Sequence, residues 1–314
     1  MARTQGPPRV LMLLRALAEP LAKIAGDTFT IVGPWAVSGD WEEWLDQGGG
    51  QGIRVAITSG ADPFNRRLLE RLPDLKAIVA FGAGHEGVDL QATSKRRIRI
   101  RTAGATHAGD VADHAVGMVL AARRRLFQAD RWVRDGHWPQ SRFPPSHSMA
   151  NAHIGIVGLG NIGLSVAQRL DVFGCQIRWW GPHEKPDVLW ARAESLLQLA
   201  GWSDILVVAI YAHDSTRKLI SRDVLDALGS HGCLVNMSRG FVIDEAELIA
   251  ALKDGRLGQA ALDVFESEPH DGMQWRDVPN TILSPHCAGD TVEAFVALCQ
   301  RAVASARELL DDPK

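Results

Sequence analysis

At 314 residues the chain is longer than one ordinary domain and shorter than three, so two domains are expected. Hydrophobic residues make up 46% and charged residues 23%, with a formal charge of -3, which excludes disordered, collagen-like and disulfide-scaffold chains and leaves no global field for nucleic acid or an anionic membrane. The four cysteines, Cys175, Cys233, Cys287 and Cys299, show no C-x-x-C spacing, which excludes a structural zinc motif and fits a reducing, cytoplasmic compartment.

The chain begins mildly basic (Arg3, Arg9), and the apolar run from Val10 to Leu14 is cut by Arg15, too short for a signal-peptide core. No stretch approaches the roughly eighteen apolar residues of a membrane span, so no membrane partner is expected. Short apolar runs at 10–14, 28–32, 53–58, 75–81 and 97–101 alternate with helix-like segments and predict a parallel α/β sheet. GGGQG at 48–52 precedes a strand without a Lys-Ser/Thr pair or a helix start, so it reads as a turn and not as a phosphate loop. His85 and Glu86 form H-E-x-x-D, not H-E-x-x-H, and no metal site is expected. Residues 110–126 predict one long, largely buried helix ending in Arg123, Arg124 and Arg125. Cations are favoured at a helix C-terminus, and such a triplet reads as a solvated end; no nucleic-acid partner is expected. Residues 136–150, with three prolines and no period, form an irregular connector. A second α/β pattern follows, with strand candidates at 153–157, 175–180, 204–210, 233–237, 260–265 and 281–284, and these six predict a doubly wound sheet. The last helix is expected over 291–310, Asp290 and Glu293 having capping-box spacing. Met118 and the ten tryptophans read as core or interface.

GLGNIG at 158–163 stands between the apolar run Ile154 to Val157 and an amphipathic segment. Gly158 permits the tight turn, Gly160 lets the backbone approach a pyrophosphate, and Gly163 allows close helix packing. Asn161, Ile162 and Gly163 open a helix whose N-terminal amides can receive phosphates, which makes a dinucleotide site. An acidic residue closing the second strand is the usual partner of the adenosine ribose. Here Trp180 is followed by Gly181, Pro182, His183, Glu184 and Lys185. With no carboxylate at 181 and with His183 and Lys185 close behind, NADP(H) is expected over NAD(H). In the other reading, Glu184 turns back to the ribose and NAD(H) is the cofactor.

LVNMSRG at 234–240, ALDVFESEP at 261–269 and SPHCAG at 284–289, together with GLGNIG, resemble the D-isomer-specific 2-hydroxyacid dehydrogenases, and GAGHEGVDL at 82–90 resembles that family's substrate loop. The resemblance implies two doubly wound parallel-sheet domains with a cleft between them, usually in a homodimer. A flavodoxin-like substrate domain would comprise 1–102 plus 288–314, and an inserted Rossmann cofactor domain 103–287. It further implies that Arg239, Glu268 and His286 are catalytic, that the backbone of Gly82, Ala83 and Gly84 binds the substrate carboxylate, that Asp263 lies near the nicotinamide, and that Ser238 adjoins it beside Arg239. The chemistry accounts for the trio. Reducing a 2-oxo acid needs a cation to hold the carboxylate and polarise the carbonyl, and a guanidinium fork does both. The developing alkoxide needs a proton donor that titrates near neutrality, and a carboxylate on the other imidazole nitrogen orients the ring and raises its pKa.

Two features set expectations for specificity. Tyr211, Ala212, His213 and Asp214 stand where many relatives carry a proline. The missing acidic residue at 181 resembles the NADP-using glyoxylate and hydroxypyruvate reductases, so a small 2-oxo acid is the expected substrate and the D-2-hydroxy acid the product. Two other functions remain open: a dinucleotide-sensing corepressor of the same family, or a same-fold dehydrogenase of another donor, such as a phosphonate-type substrate. The sequence shows no long polar tail of the kind that recruits partners.

Overall fold

The computed structural model describes residues 6–60 and 62–312; Arg3 of the basic start lies outside them. Two compact units emerge. One runs to Thr106 and resumes at Val292, and the other spans His107–Thr291. Each crossover falls a few residues past the expected 102/103 and 287/288 boundaries.

The discontinuous unit is a five-stranded sheet of β1 (Arg9–Met12), β2 (Thr30–Val32), β3 (Val55–Thr58), β4 (Ala77–Ala80) and β5 (Arg99–Thr102). The strands are parallel in the order β2-β1-β3-β4-β5, the flavodoxin arrangement. Alternation places Val10, Met12, Val55, Ile57 and Val79 against Leu17 and Leu21 of one helix and Ala302, Ala306 and Leu309 of the last one. Leu11, Ala56 and Ile78 face Leu45, Leu69 and Leu72 on the other side. Burial on both faces explains why these strands read as continuous apolar runs. The last helix, Val292–Asp311, starts one residue past the position that the capping-box spacing requires, so Thr291, not Asp290, precedes it. Asp89, the end of the H-E-x-x-D string, caps the helix Leu90–Lys95 by accepting the Ala92 N–H at 2.8 Å.

The inserted unit is a seven-stranded parallel sheet, β12-β11-β10-β9-β6-β7-β8 in order. Its strands are β6 (His153–Val157), β7 (Gln176–Trp180), β8 (Ala191–Arg192), β9 (Ile205–Val208), β10 (Cys233–Asn236), β11 (Gln259–Leu262) and β12 (Thr281–Leu283). Six of them occupy the expected runs. The two-residue edge strand β8 is a seventh, exposed and without an apolar pattern to announce it. Ile154, Ile156, Val207 and Val235 pack on Val111, Ala115, Val119, Val166 and Leu170; Leu206, Val208, Leu234 and Leu262 pack on Leu199, Leu225, Leu248 and Leu252. The direction of winding reverses between β6 and β9, so a ligand crevice belongs at the carboxyl ends of those strands.

The predicted helix over 110–126 is present as Ala108–Arg124, and a second helix that was not predicted follows it. The first, Ala108–Arg124, is stopped by Arg125 in the left-handed region (φ 54°), and Leu126–Arg134 follows. The arginine triplet is not merely a solvated end. Arg123 donates to the Ser148 carbonyl at 3.0 Å and lies 3.4 Å from Asp204, Arg124 donates to Ser146 Oγ at 3.1 Å, and Arg125 sits 5.0 Å from the Phe143 ring centre. All three fasten the proline-rich connector to the helix end. The helix Leu126–Arg134 buries none of its residues, and Leu126, Phe127, Val133 and the nearby Trp138 stand exposed. Both ends of the inserted unit meet: Thr291 donates its hydroxyl to Asp110 at 2.7 Å, and Gly289 abuts the His107 ring.

Candidate active site

The glycine string begins where β6 ends. Gly158 takes φ +90°, which a side chain would strain, and a Cβ at Gly163 would overlap the Gly158 carbonyl, so turn and helix close tightly on each other. A Cβ at Gly160 would meet nothing within 4 Å, leaving the backbone open to an approaching group. The helix Asn161–Asp171 starts there, its first amides lacking helical acceptors. In front lies a cavity of about 320 Å³, lined by Gly158–Gly160, Trp179–His183 and Lys185 on one side and by Ile210, Tyr211, His213, Ser215 and Thr216 on the other. Glu184 is exposed and is not among the lining residues. Arg192 donates to the Gly181 carbonyl at 2.7 Å, adding positive charge near the turn. Tyr211, His213, Ser215 and Thr216 form this second wall; the sequence marked 211–214 only as standing where relatives carry a proline, and the signal for the wall is position, since it follows β9 across the crevice from β6.

At the end of β10, Asn236 is fully buried and shapes the next turn. Its Oδ1 accepts the Ser238 N–H at 3.0 Å, and its Nδ2 donates to the Arg239 carbonyl at 3.1 Å. Ser238 Oγ donates to the Ile210 carbonyl at 2.7 Å, and Arg239 Nη1 to the Ser238 carbonyl at 2.8 Å. Only glycine fits at Gly240, where a Cβ would overlap the Phe265 carbonyl; the Arg239 turn is thereby wedged against the segment that carries Glu268. The buried Glu245 braces that segment from behind, accepting the Glu266 N–H at 2.8 Å and the Gln274 side-chain amide at 2.6 Å.

Asp263, just past β11, is 1% exposed. Its carboxylate accepts the Ser284 hydroxyl at 2.5 Å, the Cys287 N–H at 3.0 Å and the Ala288 N–H at 2.9 Å, while its carbonyl accepts the His286 N–H at 2.8 Å. These bonds hold His286 at φ 53°, a conformation that costs a non-glycine residue about 1–3 kcal/mol. His286 then donates Nδ1–H to Glu268 Oε2 at 2.5 Å, and Glu268 Oε1 accepts the Phe265 N–H at 2.7 Å. The hydrogen bond to Glu268 raises the His286 pKa; burial and Arg239 oppose it, and the charges of Glu268 and Asp263 reinforce it. For Glu268, burial pushes the pKa up but is outweighed by the bonds from His286 and the Phe265 amide and by the charges of His286 and Arg239, so the carboxyl is held below its ordinary value.

Arg239, Glu268 and His286 thus come together with Ser238, Asp263 and the glycine turn on the carboxyl edge of the seven-stranded sheet. Gly82, Ala83 and Gly84 belong to the other unit, directly after β4, where the Gly82 carbonyl accepts the Ala103 N–H at 3.0 Å. One histidine escaped sequence reading: His114, whose Nε2 lies 3.0 Å from Ser284 Oγ.

A glycine cradle at the switch point of a Rossmann sheet, with an imidazole, a carboxylate and a guanidinium on the same edge, defines a dinucleotide-dependent oxidoreductase. Residues 116–288 match the family model for the D-isomer specific 2-hydroxyacid dehydrogenase, NAD binding domain. Over 251 residues the chain is 39% identical to a glyoxylate/hydroxypyruvate reductase of Arabidopsis thaliana, covering 80% of both proteins. It is 35% identical to a 2-ketogluconate reductase of Gluconobacter oxydans, covering 80% of this chain and 81% of that one. Among solved structures it is similar to an NADPH-dependent glyoxylate/hydroxypyruvate reductase of Sinorhizobium meliloti in complex with NADP and malonate, with a TM-score of 0.87, 29% identity and coverage of 98% of this chain and 95% of that one. The chain belongs to the D-isomer specific 2-hydroxyacid dehydrogenase family.

Proposed function

We propose that this protein reduces a small 2-oxo acid of the glyoxylate/hydroxypyruvate class to the D-2-hydroxy acid, with NADPH preferred over NADH. The observation that carries the reading is the 2.5 Å bond from His286 to Glu268 beside Arg239, at the edge where a dinucleotide cradle opens. The relatives' own activities support the substrate class. When bound, the nicotinamide supplies the hydride. Arg239 binds the substrate carboxylate and polarises the carbonyl; His286 protonates the developing alkoxide from Nε2; Glu268 fixes the ring and keeps it protonated. The backbone of Gly82, Ala83 and Gly84 receives the carboxylate from the five-stranded unit, the substrate domain of this reading. The first amides of the helix Asn161–Asp171 receive the pyrophosphate. Asp263 and Ser238 adjoin the nicotinamide.

The cofactor preference rests on the turn after β7. No carboxylate stands at 181, His183 and Lys185 line the cavity, Arg192 is bonded to the turn, and Glu184 is not part of the lining. Lys185 acts there as a point charge toward a 2'-phosphate, so the preference is modest. We further propose a homodimer joined through the exposed apolar face of the helix Leu126–Arg134. The four cysteines are unpaired, in keeping with a cytoplasmic location.

The deciding experiment is steady-state reduction of glyoxylate and hydroxypyruvate with each reduced cofactor. Turnover with kcat/KM higher for NADPH is expected. Dinucleotide binding without turnover of any 2-oxo acid favours the corepressor function instead, and turnover only in the oxidative direction with a phosphonate-type donor favours the other dehydrogenase.

A further inference from the structure

Asp263 is a buried carboxylate with an incomplete set of partners. It offers about four lone-pair positions, and Ser284, Cys287 and Ala288 occupy three, two on Oδ1 and one on Oδ2. Among the described residues the one ionisable group of opposite type within 4.0 Å is His114, its Nε2 3.8 Å from Oδ1. Cys287 completes a cluster: Nε2 of His114, a carboxylate oxygen of Asp263 and Sγ of Cys287 all lie within 4.8 Å of one another. A tetrahedral ion holds such donors roughly 3.3–3.8 Å apart, so the 3.8 Å edge from His114 Nε2 to Asp263 Oδ1, bridged by the Ser284 hydroxyl at 3.0 and 2.5 Å, is already of the right length. His114 and Cys287 are partly exposed, which opens the cluster on one side.

We propose that His114, Asp263 and Cys287 form a site for a soft divalent cation of the zinc class. Imidazole, thiolate and carboxylate suit zinc, cobalt or cadmium, whereas magnesium and calcium require oxygen donors throughout. On binding, the Cys287 thiol loses its proton to solvent and its sulfur forms the metal bond; the Ser284 hydroxyl gives up its bridge between His114 and Asp263; His114 binds through the freed Nε2 with its own proton on Nδ1; Asp263 binds through the freed position on Oδ1; water fills the fourth position. No short motif announced the site, because its donors come from the helix Ala108–Arg124, the end of β11 and the segment after β12. The same Asp263 carboxylate anchors the segment that carries His286, so an ion drawing on it inhibits turnover. That consequence rests on the proposed role of His286; the binding itself does not.

The test uses the full chain without substrate. Equilibrium dialysis with Zn²⁺ alone counts bound ions, and titration with Cd²⁺ alone reads the ultraviolet charge-transfer band of a metal–thiolate bond. The wild type is expected to hold one tight ion and to show the band, and Mg²⁺ should not compete. Cys287→Ser should abolish the band, and both Cys287→Ser and His114→Gln, each checked for native circular dichroism, should weaken zinc binding by about tenfold or more. In the reductase assay, zinc should inhibit the wild type and spare Cys287→Ser. An unchanged cadmium band in Cys287→Ser, or full zinc retention in His114→Gln, overturns the site. If no 2-oxo acid is turned over, the dialysis and cadmium results still decide the proposal.

Discussion

In the proposed mechanism Arg239, Glu268 and His286 each have a distinct task, so each substitution has its own signature. Removing the guanidinium of Arg239 or the imidazole of His286 takes away carbonyl polarisation or the proton donor, and each should lower kcat/KM for the best 2-oxo acid by about 10²–10⁴-fold in a folded protein. Near wild-type efficiency in either alanine variant contradicts the assignment. Glu268 acts through its neighbour. His286 must be protonated to donate, and its pKa is raised chiefly by the bond to Glu268, while Arg239 pushes the other way. Glu268→Gln removes the largest raising influence and leaves burial and Arg239 to lower the pKa, opposed only by the charge of Asp263. The alkaline limb of the reduction profile should therefore move to lower pH, measured with chemistry shown to be rate-limiting by a hydride isotope effect. An unmoved limb means that the pair does not set the histidine's protonation.

Among the elements, the turn after β7 offers the cleanest test of cofactor choice. A Cβ at Gly181 would meet the Trp179 ring at 3.4 Å, an ordinary contact, so Gly181→Asp should fold normally. Its carboxylate repels a 2'-phosphate and accepts from ribose hydroxyls, which should shift the kcat/KM ratio toward NADH; a ratio left unchanged would locate the discrimination elsewhere. Most elements were legible because their physics is local: buried parallel strands such as IGIV and ILVV are unbroken apolar runs, and Gly158–Gly163 has a fixed spacing. What escaped depends on tertiary context. Ala191–Arg192 is an exposed two-residue edge strand with no apolar run, and Leu126–Arg134 is a helix that buries none of its residues. Tyr211, His213, Ser215 and Thr216 line a cavity through the order of the strands, and His114 meets Ser284 only because the helix Ala108–Arg124 packs on the seven-stranded sheet.

For the molecule as a whole, the exposed face of the helix Leu126–Arg134 points to assembly. Burying Leu126, Phe127 and Val133 in a symmetric contact recovers apolar area that is otherwise left in water. Phe127→Asp should convert the proposed dimer to a monomer in size-exclusion chromatography with light scattering; a wild type that is monomeric at micromolar concentration removes the proposal.

The bond from Thr291 to Asp110 closes the inserted unit at its base. To the discontinuous five-stranded unit, everything from His107 to Thr291 then counts as one short loop, whose closure entropy is nearly that of a tight turn. Joining the helix Val292–Asp311 to strands at the opposite end of the chain is therefore not a search over the whole intervening length, provided that the insert forms first. The connectivity thus favours an order of assembly in which the seven-stranded sheet precedes the sheet whose chain it interrupts.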